Sequence, residues 1–260
     1  MIGVFDSGVG GMTVARAIEQ LCPGLPLIYF GDIARTPYGS KSPDTIIRYS
    51  RNNTDFLLEQ GAEVIVIACN SASSTAADAL RANYRVPILD VITPATRKAA
   101  QISDSGRIGV IGTRATVKSG MYPRRIHESR PDAEVISQAC PLLVPLVEEG
   151  WLSQRETKMI LRRYLQPLRR RQIDTLVLGC THYPLLKHLI TPRIGRRVRL
   201  IDSSIEMASF VCEFLDRDPA MKERLCNSGK NSRFYVSDTT EAIEQMAARI
   251  FGRPVELHTV

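Results

Sequence analysis

The 260-residue sequence predicts an α/β fold made of two similar parallel-sheet halves. Three observations carry this. Short apolar runs recur, each followed by a polar or glycine-rich turn and then a helical pattern, the alternation that builds parallel sheets. These runs pair across the chain in one order and at a nearly constant offset. The composition, 44% hydrophobic and 23% charged, is that of an ordinary globular protein with enough apolar material for a core.

The first run, residues 2–7, leads into Gly8, Gly10 and Gly11; its counterpart is 108–113, an offset of 106. Runs 26–30 and 133–137 fill the second slot. Run 63–70 matches 174–181 at an offset of 111, and 86–90 matches 198–202 at 112. One such pair is what chance gives between apolar strands, whereas four in register argue for duplicated halves. The tail from Ile205 reads as a helix, a loop near 226–232, a strand at 234–236 and an amphipathic helix from Thr240. This tail is expected to return to the first half. The expected domains are therefore 1–94 plus 205–260, and 95–204. Ligands in open α/β sheets sit beyond the carboxyl ends of the strands, so the halves should face each other across a cleft.

Composition also excludes several functions. The longest stretch without Asp, Glu, Lys or Arg is 14 residues, 64–77, too short and too polar to span a membrane. The start of the chain carries no basic, apolar leader, so a cytoplasmic location is expected. The six cysteines (22, 69, 140, 180, 212, 226) and four histidines (127, 182, 188, 258) form no metal-ligand spacing, so no metal is expected and the thiols are expected to be free. Residues 155–199 carry 12 Lys/Arg against Glu156 and Asp174. Ile160, Leu161, Tyr164, Leu165 and Leu168 recur opposite Arg162, Arg163, Arg169 and Arg170, which reads as a solvated helix face. With only Tyr164 and Tyr183 interleaved, this region lacks the stacking surface of a nucleic-acid binder.

Chemistry concentrates at the strand ends. Cys69 and Cys180 occupy equivalent places, each closing a buried strand before a helix, where backbone N–H groups should favour the thiolate. Any single buried cysteine is ordinarily structural, and Cys22, Cys140, Cys212 and Cys226 read that way. A matched pair at duplicated positions does not. Asn70, Ser71, Ser73 and Ser74 follow Cys69, and Thr181 and His182 follow Cys180; they suit both helix capping and the cradling of a carboxylate. The loop from Asp6 to Gly11 is a broken dinucleotide fingerprint, with Thr13 where a Gly or Ala belongs. It fits close approach of a small ligand to the backbone better than it fits a nucleotide.

Four blocks together, residues 6–11, 32–39, 68–73 and 179–186, resemble the signature blocks of the glutamate racemases in order and spacing. The similarity runs over nearly the whole chain and is weakest in the tail. Ser71 stands where that family usually has Thr, keeping the hydroxyl and losing a methyl. The resemblance implies a cofactor-independent racemase of the aspartate/glutamate racemase superfamily, two α/β domains related by pseudo-twofold symmetry, commonly a homodimer, and a supply of D-glutamate for peptidoglycan. It implies Cys69 and Cys180 as catalytic thiols, with Asp6, Glu148 and His182 assisting. Ser7, Tyr38, Gly39, Asn70, Ser71 and Thr181, with Asp6 and His182, match substrate contacts. Glu148 is preferred to Glu149 because its distance from Cys180, 32 residues, resembles the family pattern. The chemistry agrees, since inverting a Cα centre requires a base on one face and an acid on the other. The alternatives are another racemase of the superfamily, acting on aspartate, and a nucleotide- or nucleic-acid-binding protein.

Overall fold

Ten strands and twelve α-helices follow one another along residues 1–260, all of which the computed structural model describes. In chain order they begin with β1 (Ile2–Asp6), α1 (Met12–Leu21), β2 (Leu27–Gly31), α2 (Pro43–Glu59), β3 (Val64–Ile67), α3 (Asn70–Asn83) and β4 (Ile88–Asp90). Next come α4 (Ile92–Ile102), β5 (Arg107–Gly112), α5 (Arg114–Lys118), α6 (Met121–Ser129), β6 (Glu134–Ala139), α7 (Leu143–Glu148) and α8 (Arg155–Arg170). The remainder is β7 (Thr175–Gly179), α9 (Lys187–Ile194), β8 (Arg199–Asp202), α10 (Ser203–Asp216), α11 (Pro219–Cys226), β9 (Arg233–Val236), α12 (Glu241–Phe251) and β10 (Leu257–Thr259).

The strands form two sheets, ordered β10-β9-β2-β1-β3-β4 and β6-β5-β7-β8, with every pair parallel. The order β2-β1-β3-β4 repeats as β6-β5-β7-β8, so the four run pairs seen in the sequence are the same four places in two sheets. β1, β3 and β7 are buried along their whole length, as expected for strands covered by helices on both faces. The tail adds β9 beside β2 and then β10, a strand of three residues too short and too polar to stand out in the sequence. On α8, Leu161, Leu165 and Leu168 are buried and the arginines at 162, 163, 169 and 170 face solvent. No helix is long and apolar enough to cross a membrane.

One expectation about the thiols is corrected. Cys22 and Cys212, 190 residues apart, form a disulfide, leaving Cys69, Cys140, Cys180 and Cys226 free. Helix α10 leaves the end of β8 and lies along α1, which brings Cys212 to the residue that ends α1. Sequence spacing carries no trace of this pairing, because only helix packing creates it.

Candidate active site

The carboxyl ends of the central strands of both sheets supply the candidate residues. Asp6 ends β1 and is fully buried. Its carboxylate accepts hydrogen bonds from the backbone N–H groups of Gly8 at 3.1 Å and Gly11 at 3.0 Å, so the glycine loop folds around a charge. Tyr29 pins the same loop by donating to the Gly8 carbonyl at 2.5 Å. Gly10 has to be glycine, because a Cβ there would lie 2.5 Å from His182 Nδ1 and 2.6 Å from Thr181 Oγ1. The loop of the first half thus lies directly against the end of β7 in the second.

Cys69 follows β3 and caps α3, its sulfur accepting from Ala72 N–H at 3.5 Å and lying 3.5 Å from Ser7 Oγ. The expected depression of this thiol does not occur. Burial and the neighbouring Asp6 carboxylate push it up to about 12, outweighing the hydrogen bonds from Ser7 and the helix end. Cys180 follows β7 and precedes a short 3-10 turn, Tyr183–Leu186, rather than an α-helix. Its sulfur is 3.8 Å from His182 Nδ1 and near enough to Cys69 for its charge to contribute to that thiol's rise.

His182 is buried between Cys180 and Glu148, with Nε2 3.2 Å from Glu148 Oε1. Burial lowers an imidazole, but Cys180 and Glu148 on either side outweigh it and hold His182 well above its ordinary value. Of the acidic pair ending α7, Glu148 is half-buried against this ring, whereas Glu149 faces solvent. Asp6 is raised from the usual carboxylate range by burial, against the pull of His182 and the loop N–H groups.

The polar side chains link the two halves. Thr181 donates to Asp6 Oδ1 at 3.4 Å, and Thr13 donates to the Thr181 carbonyl at 3.2 Å. Asn70 accepts from Tyr122 at 2.7 Å and donates to Ser203 at 3.5 Å, and Ser71 Oγ lies 2.9 Å from Thr113 Oγ1. Gly39 packs on the same threonine; a Cβ there would sit 2.6 Å from Thr113 Cβ. Tyr38 is oriented otherwise. Its hydroxyl donates to Asp32 and accepts from Asn53 at 3.1 Å, and its ring is buried against Tyr49, so the side chain is engaged within the first half. Thr113, with Thr116 at 3.1 Å, went unread in the sequence although the offset of 106 that pairs the first run with its counterpart also pairs Ser7 with Thr113.

A family model described as Asp/Glu/Hydantoin racemase matches residues 2–210. The chain belongs to this racemase family. Glutamate racemases of Geobacter metallireducens and of Neisseria meningitidis serogroup A are each 45% identical to it, covering 96% and 98% of this chain and 92% and 94% of theirs. Among solved structures of the family, a glutamate racemase isoform of Bacillus anthracis superposes with a TM-score of 0.93 at 35% identity, over 100% of this chain and 97% of that one. The glutamate racemase of Francisella tularensis in complex with D-glutamate gives 0.90 at 36%, over 100% and 96%. A Picrophilus torridus aspartate racemase, 18% identical with a TM-score of 0.57 over 83% of this chain and 94% of its own, shares the fold.

Proposed function

We propose that this chain interconverts L- and D-glutamate by a two-thiol mechanism that needs no cofactor, and that it supplies D-glutamate for peptidoglycan. The observation that carries the reading is the pair Cys69 and Cys180, at the ends of equivalent strands β3 and β7 in two sheets of one repeated order, each with its own assisting group. Full-length identity to glutamate racemases supports it.

One sulfur, as thiolate, takes the Cα proton: the C–H bond breaks, an S–H bond forms, and the electron pair moves onto the substrate's α-carboxylate. The opposite thiol then gives its proton to the other face of Cα and becomes the thiolate. Acid and base have exchanged, so the reverse reaction starts from the state the forward one leaves. Burial and Asp6 keep Cys69 protonated at neutral pH. Ser7, Asn70, Ser71, Thr181 and the backbone at Tyr38 and Gly39 hold the two carboxylates, in a buried setting where such donors count for more than in water. Residues 1–94 with 205–260 form one domain and 95–204 the other, and the working unit is a homodimer.

Turnover in D2O tests the mechanism. From L-glutamate, early D-glutamate should carry solvent deuterium while the remaining L-glutamate stays protiated, and Cys69→Ala or Cys180→Ala should each abolish turnover in both directions. Retention of the substrate's own proton in the product would exclude two thiols. Parallel runs with aspartate read the substrate preference.

A further inference from the structure

Tyr122 contacts the chain next to both thiols and takes no part in the proton transfers. Gly120, in the left-handed region at φ 65°, turns the chain from α5 into α6 and puts Tyr122 in the first turn of that helix. The ring is fully buried in the core of the second half with Val110, Val177 and Ile201. It packs on the backbone at the end of β7, where a Cβ on Gly179 would lie 3.2 Å from Tyr122 Cε2, one residue before Cys180. The hydroxyl reaches the first half and donates to Asn70 Oδ1 at 2.7 Å, one residue after Cys69. Burial and the charge of Asp90 hold this phenol well above its ordinary value, so it keeps its proton and stays a donor.

Asn70 opens α3, and a half-turn of its amide would exchange oxygen for nitrogen. Two contacts choose between these orientations. Tyr122 brings a proton, so the amide oxygen faces it. Ser203 gives its own proton to the Leu178 carbonyl at 3.1 Å and presents lone pairs, so the amide nitrogen faces it at 3.5 Å. The second N–H of Asn70 then has no acceptor in the protein and is a donor free for a carboxylate. Of the two constraints the 2.7 Å bond is the stronger, because 3.5 Å is at the limit of hydrogen bonding.

We propose that Tyr122 is a positioning residue for the substrate: its hydroxyl fixes the Asn70 amide so that the free N–H meets a substrate carboxylate. The inference rests on the racemase reading and on Asn70 as a carboxylate contact. The hydroxyl comes from the second half and the amide from the first, so this donor is set only where the halves meet.

Steady-state kinetics with L- and D-glutamate test this. Tyr122→Phe keeps the ring against Gly179 and removes only the donor, so KM should rise at least about fivefold while kcat stays within about twofold. Asn70→Ala should raise KM at least as much. Adding Tyr122→Phe to Asn70→Ala should then change KM by less than about twofold, because the hydroxyl acts through the amide. A merely structural hydroxyl would lower the melting temperature with KM unmoved, or raise KM by one factor with and without Asn70; either result would overturn the proposal. A loss confined to kcat would overturn it as well. No turnover of glutamate by the unaltered chain would overturn the racemase reading and this inference with it, whereas turnover with an unmoved KM in Tyr122→Phe overturns this inference alone.

Discussion

At the scale of single residues, chemistry depends on what each ionisable group is buried beside. Cys69 is pushed up to about 12 first by burial and then by Asp6. Asp6→Asn removes the negative neighbour, so the pH at which iodoacetamide modifies Cys69 should move down, as mapped on its peptide; a shift upward or none would separate the two groups. The sign for stability is the reverse of a carboxylate's. The folded state holds the Cys69 proton more tightly than the unfolded one, so this contribution is whole below about pH 9 and is lost as pH rises towards 12. His182 makes a second case. Removing the Glu148 charge with Glu148→Gln should lower the pH at which the ring titrates, read by NMR, and reduce kcat at least about tenfold, whereas Glu149→Gln should leave both unchanged. The ring's titration is the diagnostic readout, because a merely structural role for Glu148 would not move it.

Among the elements, the glycine loop after β1 positions the site more than any helix does. It wraps two N–H groups around Asp6 and presses Gly10 onto His182. Gly10→Ala would place a methyl 2.5 Å from the ring, so His182 has to shift from its place beside Cys180 and Glu148. Displacing a catalytic group by about 1 Å costs on the order of 10²-fold. Turnover should fall by about that factor with far-UV circular dichroism unchanged; near-normal turnover would mean that His182 has freedom to relocate. The loop was legible in the sequence as a glycine-rich turn between strand and helix, but not its partner, because the contact spans 172 positions between Gly10 and His182.

For the whole molecule, the disulfide between Cys22 and Cys212 closes most of the chain into one loop. Thiol titration of the denatured protein should give four groups before reduction and six after it. A crosslink of this kind contributes about 2–4 kcal/mol. Cys22→Ser should therefore lower the melting temperature by roughly 5–15 °C under non-reducing conditions. Turnover should survive, since Cys69 and Cys180 are untouched. Six titratable thiols without reductant would mean that the pair stays reduced.

The sequence by itself determined the repeated strand order, because buried parallel strands are apolar runs and a duplicated unit repeats them in register. It also singled out Cys69 and Cys180, since a strand end before a turn is a local pattern. Only the tertiary structure decided which distant groups meet. Glu148 rather than Glu149 reaches His182, Thr113 reaches Ser71, Tyr38 turns to Asp32, and Cys212 finds Cys22. It also reversed the reading of Cys69, where the helix end that should favour a thiolate is outweighed by burial and a neighbouring carboxylate. The physical reason is the same in each case. Periodicity and turn chemistry act over a few residues and are written locally, whereas desolvation, charge proximity and side-chain contact are set by packing between segments that the sequence holds far apart.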